Sequence, residues 1–250
     1  MTQNGINQAY YTACGGFGLP GITYVNANQV VSSSGQNQIY TVPSGRRALI
    51  SRVDCNAQSN VTANCCFNNG GTYYNGGGPQ TSLTAGTPKN LISTIPLILD
   101  AGEILSIALS SALSVNVWPQ IIEFDADSAL KSGKFLNAAA GNNLVYTVPA
   151  GKTMIALDKV LNHGGASATG FGNLSSSTQM YWLYVPNGQS VGPTFRISNT
   201  ATPSGGATTG GTMVQSATRF PSMNAGDMIY VNANAATGGC AYFNYLEIPV

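Results

Sequence analysis

The sequence predicts an all-β protein: two tandem related β-sandwich domains of jelly-roll-like form, preceded by an extended N-terminal arm. Three observations lead there. A strand-and-corner phrase occurs twice, as Tyr40-Thr41-Val42-Pro43-Ser44-Gly45-Arg46 and as Tyr146-Thr147-Val148-Pro149-Ala150-Gly151-Lys152. A turn-then-strand phrase follows each copy, Asp100-Ala101-Gly102-Glu103-Ile104-Leu105 and Asn224-Ala225-Gly226-Asp227-Met228-Ile229. The composition holds 30 Gly and 12 Pro with only 8% charged residues. Such a mix favours turns over helix interiors, and the many Val, Ile, Tyr and Thr suit strands.

Taken in order, residues 1–38 carry no charge and many turn signals, with aromatics at Tyr10, Tyr11, Phe17 and Tyr24. Alone they bury too little apolar surface to fold. They are either an edge strand and loop on their own domain or an arm reaching a neighbouring subunit. The first sandwich spans 39–124. Ile39 to Val42 is a strand stopped by Pro43-Ser44-Gly45, where Pro fixes φ and Gly accepts a positive one. Ala48 to Asp54 alternates, with Leu49, Ser51 and Val53 on one face. Residues 68–78, rich in Gly and Asn around Tyr73-Tyr74, read as a long loop. Val115–Trp118 and Ile121–Phe124 close the domain as short strands.

Residues 125–142 read as a linker, with one helical turn over Asp127–Lys131. The second sandwich spans 143–250. Its opening phrase stands 106 residues after the first copy and its later phrase 124 after, so the second domain holds 18 additional residues. The Gly-rich stretch 199–212 is the place expected for them, as surface loops absorb length. Matching corners that set strand pairing are what a duplicated β-scaffold retains.

The same composition excludes several functions. A net charge of +1 gives no basic surface for nucleic acid and no electrostatic hold on anionic lipid. No apolar run is long enough to span a bilayer as a helix. The start shows no cationic, apolar leader, which predicts folding in a cytoplasm. The five cysteines, Cys14, Cys55, Cys65, Cys66 and Cys240, include no Cys-x-x-Cys pair and read as buried free thiols. A Cys55–Cys65 bridge stays open. The one histidine, His163, has no local partner for catalysis. The nine carboxylates are spread singly, and the Gly-rich stretches lack the Lys-Ser/Thr of a phosphate loop. No catalytic, cofactor-binding or metal-ligating residue is assigned. The candidate contact residues are aromatic: Tyr10, Tyr11, Phe17, Tyr24, Tyr73, Tyr74 and Trp182. Exposed aromatics can serve protein contacts or sugars, whereas a strand position for Trp182 points to the core.

The run Val148-Pro149-Ala150-Gly151-Lys152-Thr153, followed by an alternating strand and later by Ala225-Gly226-Asp227-Met228-Ile229, resembles bacteriophage virion structural proteins. These are often small β-sandwich modules of head decoration, neck or tail. The likeness covers about 39–124 and 143–250. It implies a non-enzymatic capsid decoration or cement protein, located in the virion. Its partners would be the major capsid protein or other virion proteins, and it would form a homo-oligomer, with a trimer favoured. A tail, neck or receptor-binding fibre component is the alternative, and a carbohydrate-binding module the second alternative.

Overall fold

A computed structural model describes residues 19–76, 81–92, 95–136, 139–162, 179–197, 213–215, 221–234 and 240–250. It divides into two compact units, which meet in sequence between Ser128 and Ala129. No helix is long and apolar enough to cross a membrane among the described residues.

The first unit contains β1 (Thr23–Val25), β2 (Gln29–Val31), β3 (Gly35–Thr41), β4 (Arg46–Ala57), β5 (Val61–Asn69), β6 (Thr72–Asn75), β7 (Thr81–Leu83), β8 (Lys89–Asn90), β9 (Leu97–Leu99), β10 (Ile104–Leu109) and β11 (Val115–Asp125). One sheet runs β1–β11–β4–β8, with β2 also on β11 and β9 on β4. The other runs β3–β10–β5–β6, with β7 on β5. The second unit contains β12 (Leu130–Leu136), β13 (Gly141–Thr147), β14 (Lys152–Asn162), β15 (Met180–Val185), β16 (Met213–Gln215), β17 (Met228–Ala233) and β18 (Cys240–Pro249). Its sheets run β12–β18–β14–β16 and β13–β17–β15. In each unit the first strand pairs with the last, and most sequence neighbours fall in opposite sheets. That is the strand order of a jelly roll. The all-β sandwich expectation holds.

Sequence chemistry explains the corners. Gly45 and Gly102 have φ of 74° and 83°, and Gly151 and Gly226 have 71° and 85°, values a Cβ disfavours. The corners lock reciprocally. Val42 N donates to Glu103 O and Gly102 N to Val42 O; Val148 N donates to Asp227 O and Gly226 N to Val148 O.

The match between units extends to irregularities. A bulge leaves Ser51 extra in β4 against β11, and another leaves Leu157 extra in β14 against β18. Bulges also fall at Ile39 in β3 and Val145 in β13. Both pairs stand 106 residues apart. The Asn37 amide donates to the carbonyls of Ser33, Gly35 and Ile107, and the Asn143 amide to those of Ala139, Gly141 and Val231. The same offset carries β1 and β2 onto β12. Tyr24 faces Ile122 and Val30 faces Asn116, as Leu130 faces Leu246 and Leu136 faces Cys240.

Six expectations change. Val115–Trp118 and Ile121–Phe124, expected as two short strands, are one strand, β11, which runs on through Pro119. Residues 23–25 and 29–31 of the supposed arm are strands of their own sheet, so the edge-strand alternative describes them. Within the supposed linker, residues 130–136 form β12, paired along its full length with β18; there is no helical turn over 127–131. The 68–78 stretch contains a tight β5–β6 hairpin. Gly70 and Gly71 both have positive φ, the requirement of a two-residue turn that matches strand twist. In β4 the bulge at Ser51 breaks the simple alternation, so Ile50 and Val53 share the buried face. Finally, β15 pairs with β17 as β5 pairs with β10 at an offset of 117. Eleven of the 18 additional residues therefore precede Met180, and only seven fall after Val185; residues 199–212 lie outside the described residues.

The core of the second unit joins both sheets: Met154, Ala156, Ala241, Phe243 and Tyr245 from one, Met180, Trp182, Ile229 and Val231 from the other. Trp182 meets Phe243 edge-on at 5.7 Å and 88°, a favoured aromatic geometry. Gly133 in β12 lies directly against the Phe243 ring, where a Cβ would overlap it. Replacing Gly133 with alanine is expected to destabilise the second unit by about 1–3 kcal/mol through overpacking, measured by urea unfolding.

Candidate functional site at an interrupted sheet edge

Seven carboxylates, those of Asp54, Asp100, Glu103, Glu123, Asp125, Asp227 and Glu247, hold strands and turns. Tyr40 OH donates to Glu123, which also pairs with Arg46. Arg46 reaches Asp125 as well. In the second unit Tyr146 OH donates to Glu247 at 2.6 Å, and Lys131 Nζ to the other oxygen at 2.6 Å. Each Tyr comes from one sheet and each Glu from the other, so these are inter-sheet staples. Burial first, then the neighbouring carboxylate, hold the Tyr40 and Tyr146 phenols well above their usual range. Burial pulls the Glu247 pKa up, but hydrogen bonds from Lys131 and Tyr146 and the charges of Lys131 and Lys152 outweigh it, so the net shift is downward. Glu103 accepts from Asp100 N and Asp227 from Asn224 N, closing the two corner turns. Asp100 pairs with Arg47 and Asp54 with Arg52. These groups serve the fold. Among the described residues no group of His, Cys, Asp or Glu is arranged to hold a metal ion.

One place breaks the fold's regularity. β1 pairs with β11 through Ile121–Glu123, and β2 through Val115–Val117. Between them Asn26-Ala27-Asn28 bows away from Trp118-Pro119-Gln120. Pro119 has no N–H to give a strand partner. The bow is itself a built turn, with Asn28 N donating to Asn26 Oδ1 at 3.2 Å. The Ser51 bulge faces the same point from β4, and Ser51 Oγ lies 3.4 Å from Gln120 Oε1. The result is an open groove of about 400 Å³. Asn26, Asn28, Ser51 and Gln120 give its lining amides and a hydroxyl, Pro119, Ile121 and Ile122 give it apolar groups, and Tyr24 lines it as well. All nine lining residues are uncharged. In the second unit the corresponding strand β12 is continuous, with Gly133 and Phe243 where the first unit has Ala27 and Pro119. The groove belongs to the first unit's sequence, since the fold forms without the interruption.

Strand alternation puts Tyr24, Val30, Trp118 and Gln120 on one face. Tyr24 is 70% exposed, Val30 62% and Trp118 39%, and Ile22 beside them is also exposed.

Of the aromatic candidates, Tyr24 is thus at the groove. Tyr73 is half-buried on β6, away from it. Tyr74 is buried with its ring 5.5 Å from Phe67. Trp182 is fully buried at 0% exposure; an inward strand position in a packed core leaves it no surface to offer a partner. Tyr10, Tyr11 and Phe17 lie outside the described residues. Val30, Trp118, Asn26, Asn28, Ser51 and Gln120 were not singled out from sequence. Pro119 inside an apolar alternating run was the available signal.

Cys55, Cys65, Cys66 and Cys240 are buried and unbridged, so the Cys55–Cys65 bridge is absent. Burial and the Asp54 charge push the Cys55 thiol up to about 12. Burial carries Cys66 to about 12 against a lowering hydrogen bond with Gln36, and puts Cys65 well above its usual value. Thiolates are the reactive form. With Cys14 replaced by Ser, no thiol is expected to titrate with an aromatic disulfide reagent at pH 8 in the native protein, and four after unfolding in urea. Rapid native reaction would show that these cores open.

No family model matches the chain, and no curated protein matches it. Among solved structures it is similar to a chain from the atomic structure of Sulfolobus Turreted Icosahedral Virus, at 11% identity and TM-score 0.29, over 91% of this chain and 60% of that one. It is also similar to the crystal structure of the STIV MCP, at 13% identity and TM-score 0.30, over 90% of this chain and 96% of that one. The chain thus spans less than two thirds of the first. Values this low carry no inference about what the chain does.

Proposed function

We propose that the chain is a non-enzymatic structural protein of a virion, a decoration or cement protein that binds the outer shell through subunit contacts. The observation that carries this reading is the tandem pair of jelly rolls, matched corner for corner and bulge for bulge. The matching also supports their origin by duplication. Jelly rolls recur in viral shells, lectins and cupins. Among the described residues the second unit's interior is packed with Trp182, Phe243, Tyr245 and Met154, side chains that fill a core. The charge pattern favours assembly. Of nine acidic residues, Asp54, Asp100, Glu123, Asp125 and Glu247 form ion pairs within their own unit. Low net charge gives little repulsion between copies, and exposed amides can hydrogen-bond across a contact without the penalty of burying charge.

The purified chain is expected to sediment as a closed oligomer, a trimer favoured, and to rebind particles from which it has been stripped. A decoration protein leaves an intact shell when removed. Collapse of the shell on its removal would make it a shell-building subunit instead. A monomer at 100 µM that binds no particle would contradict both.

A further inference from the structure

We infer that the groove between Asn26–Asn28 and Pro119–Gln120 is a binding site for a neutral saccharide. The inference does not rest on the virion reading. The second unit serves as an internal control: its equivalent strand is continuous, so the interruption is not a requirement of the fold. Two irregularities on different strands, Pro119 in β11 and the Ser51 bulge in β4, meet at the opening. Bulges are enriched beside functional sites, where they re-aim a side chain.

The lining chemistry selects the ligand. Asn26, Asn28 and Gln120 each bring donors and acceptors in one amide, and Ser51 adds a hydroxyl. Sugar hydroxyls likewise donate and accept. Tyr24 supplies a flat exposed ring against which the C–H face of a pyranose can lie, with its phenolic edge free to hydrogen-bond. Apolar Pro119 and Ile122 complete a surface that is part apolar and part polar, as sugars are. Among the described residues no cation lines the groove to balance a sulfate, phosphate or sialic acid, and no carboxylate lines it to bind an amine. The nearby charges of Arg52 and Glu123 are paired with Asp54 and Arg46. An added peptide strand fits less well. Its open run of β11 is only three residues, and the central one, Pro119, lacks an N–H. About 400 Å³ lies within the range of small-ligand sites and holds one or two sugar rings.

The test is saturation-transfer NMR and titration of the full chain with a panel of neutral hexose and N-acetylhexosamine oligosaccharides. Saturable binding to at least one member is expected. Tyr24→Ala and Gln120→Leu should each raise its Kd at least tenfold, while Tyr73→Ala leaves it unchanged. Tyr24 and Gln120 are exposed, so circular dichroism and Tm should stay at wild-type values. Sedimentation of Tyr24→Ala should also match wild type, separating sugar binding from assembly. No saturable binding across the panel overturns the inference. So does equal binding by both groove variants, preference for sialylated or sulfated sugars, or loss of the oligomer in Tyr24→Ala, which would make the groove a subunit contact.

Discussion

Phe243→Ala is expected to destabilise the second unit by about 3–5 kcal/mol, the range for removing a large aromatic from a packed core. Phe243 is fully buried and touches residues of both sheets. Its ring lies 5.7 Å from Trp182, 5.1 Å from Tyr245 and 6.1 Å from Tyr146, and Gly133 packs against it from β12. One truncation therefore loosens four neighbours, and collapse onto the cavity is resisted because they sit on four different strands. A stability of about 5–15 kcal/mol is typical of a domain, so this loss can leave the unit partly unfolded at 37 °C. Urea unfolding followed by tryptophan fluorescence measures it, since Trp182 reports on this core. The equivalent position in the first unit is Pro119, at the groove, and Pro119→Ala is expected to change stability far less. Equal losses at both positions would show that the two units do not differ as described.

Glu247→Ala is expected to cost about 2–4 kcal/mol at pH 7, because it strands Lys131 and leaves the Tyr146 hydroxyl without its acceptor. Glu247 is only 9% exposed and Lys131 26%, so solvent recovers part of the loss at Lys131. The pH dependence follows from the downward shift of Glu247. A carboxyl with a folded pKa below its unfolded value near about 4.3 adds stability that is fully present above 4.3. That stability is lost as pH falls through the lower folded value. The stability difference between wild type and Glu247→Gln should thus be constant from pH 7 to 5 and shrink below about pH 4. A difference unchanged down to pH 3 would mean the staple carries no net charge interaction. Tyr146→Phe, which keeps the ring packing on Tyr245 at 4.8 Å, isolates the hydroxyl's share at about 1.5–3 kcal/mol, the range for a hydrogen bond to a charged group.

The corners were legible because their chemistry is local. Pro43 and Pro149 end a strand, and Gly45, Gly102, Gly151 and Gly226 take positive φ. Such constraints act on one or two residues and survive as words. The offsets of 106 and 124 followed from them. The equivalence of 24–30 with 130–136 was hidden. Tyr-Val-Asn-Ala-Asn-Gln-Val and Leu-Lys-Ser-Gly-Lys-Phe-Leu share no pattern, and each is placed by pairing with a strand far away in sequence, as Val30 with Asn116 and Leu130 with Leu246. Tertiary pairing decides such edge strands. Bulges were hidden for a related reason: Ser51 and Leu157 shift the alternation by one residue, and a slip of one exchanges the two faces. Gly70-Gly71 carried a hairpin signal, but the surrounding Asn and Gly read as an open loop.

The candidate site was only partly legible. Tyr24 was named from its aromatic character. The groove required knowing that Pro119 sits in a continuous strand, opposite Asn26–Asn28 on one side and the Ser51 bulge on the other. Trp182 is the opposite case: an aromatic within an alternating stretch belongs to whichever face is buried, and here, as its strand position indicated, that face is the core.

A density map of the intact particles, computed with and without this chain, tests the virion reading most directly. It should show two β-sandwich densities per copy, repeated by the particle's symmetry on the outside of the shell and absent from stripped particles. Particles whose maps and protein composition are identical whether or not the chain is produced would contradict it.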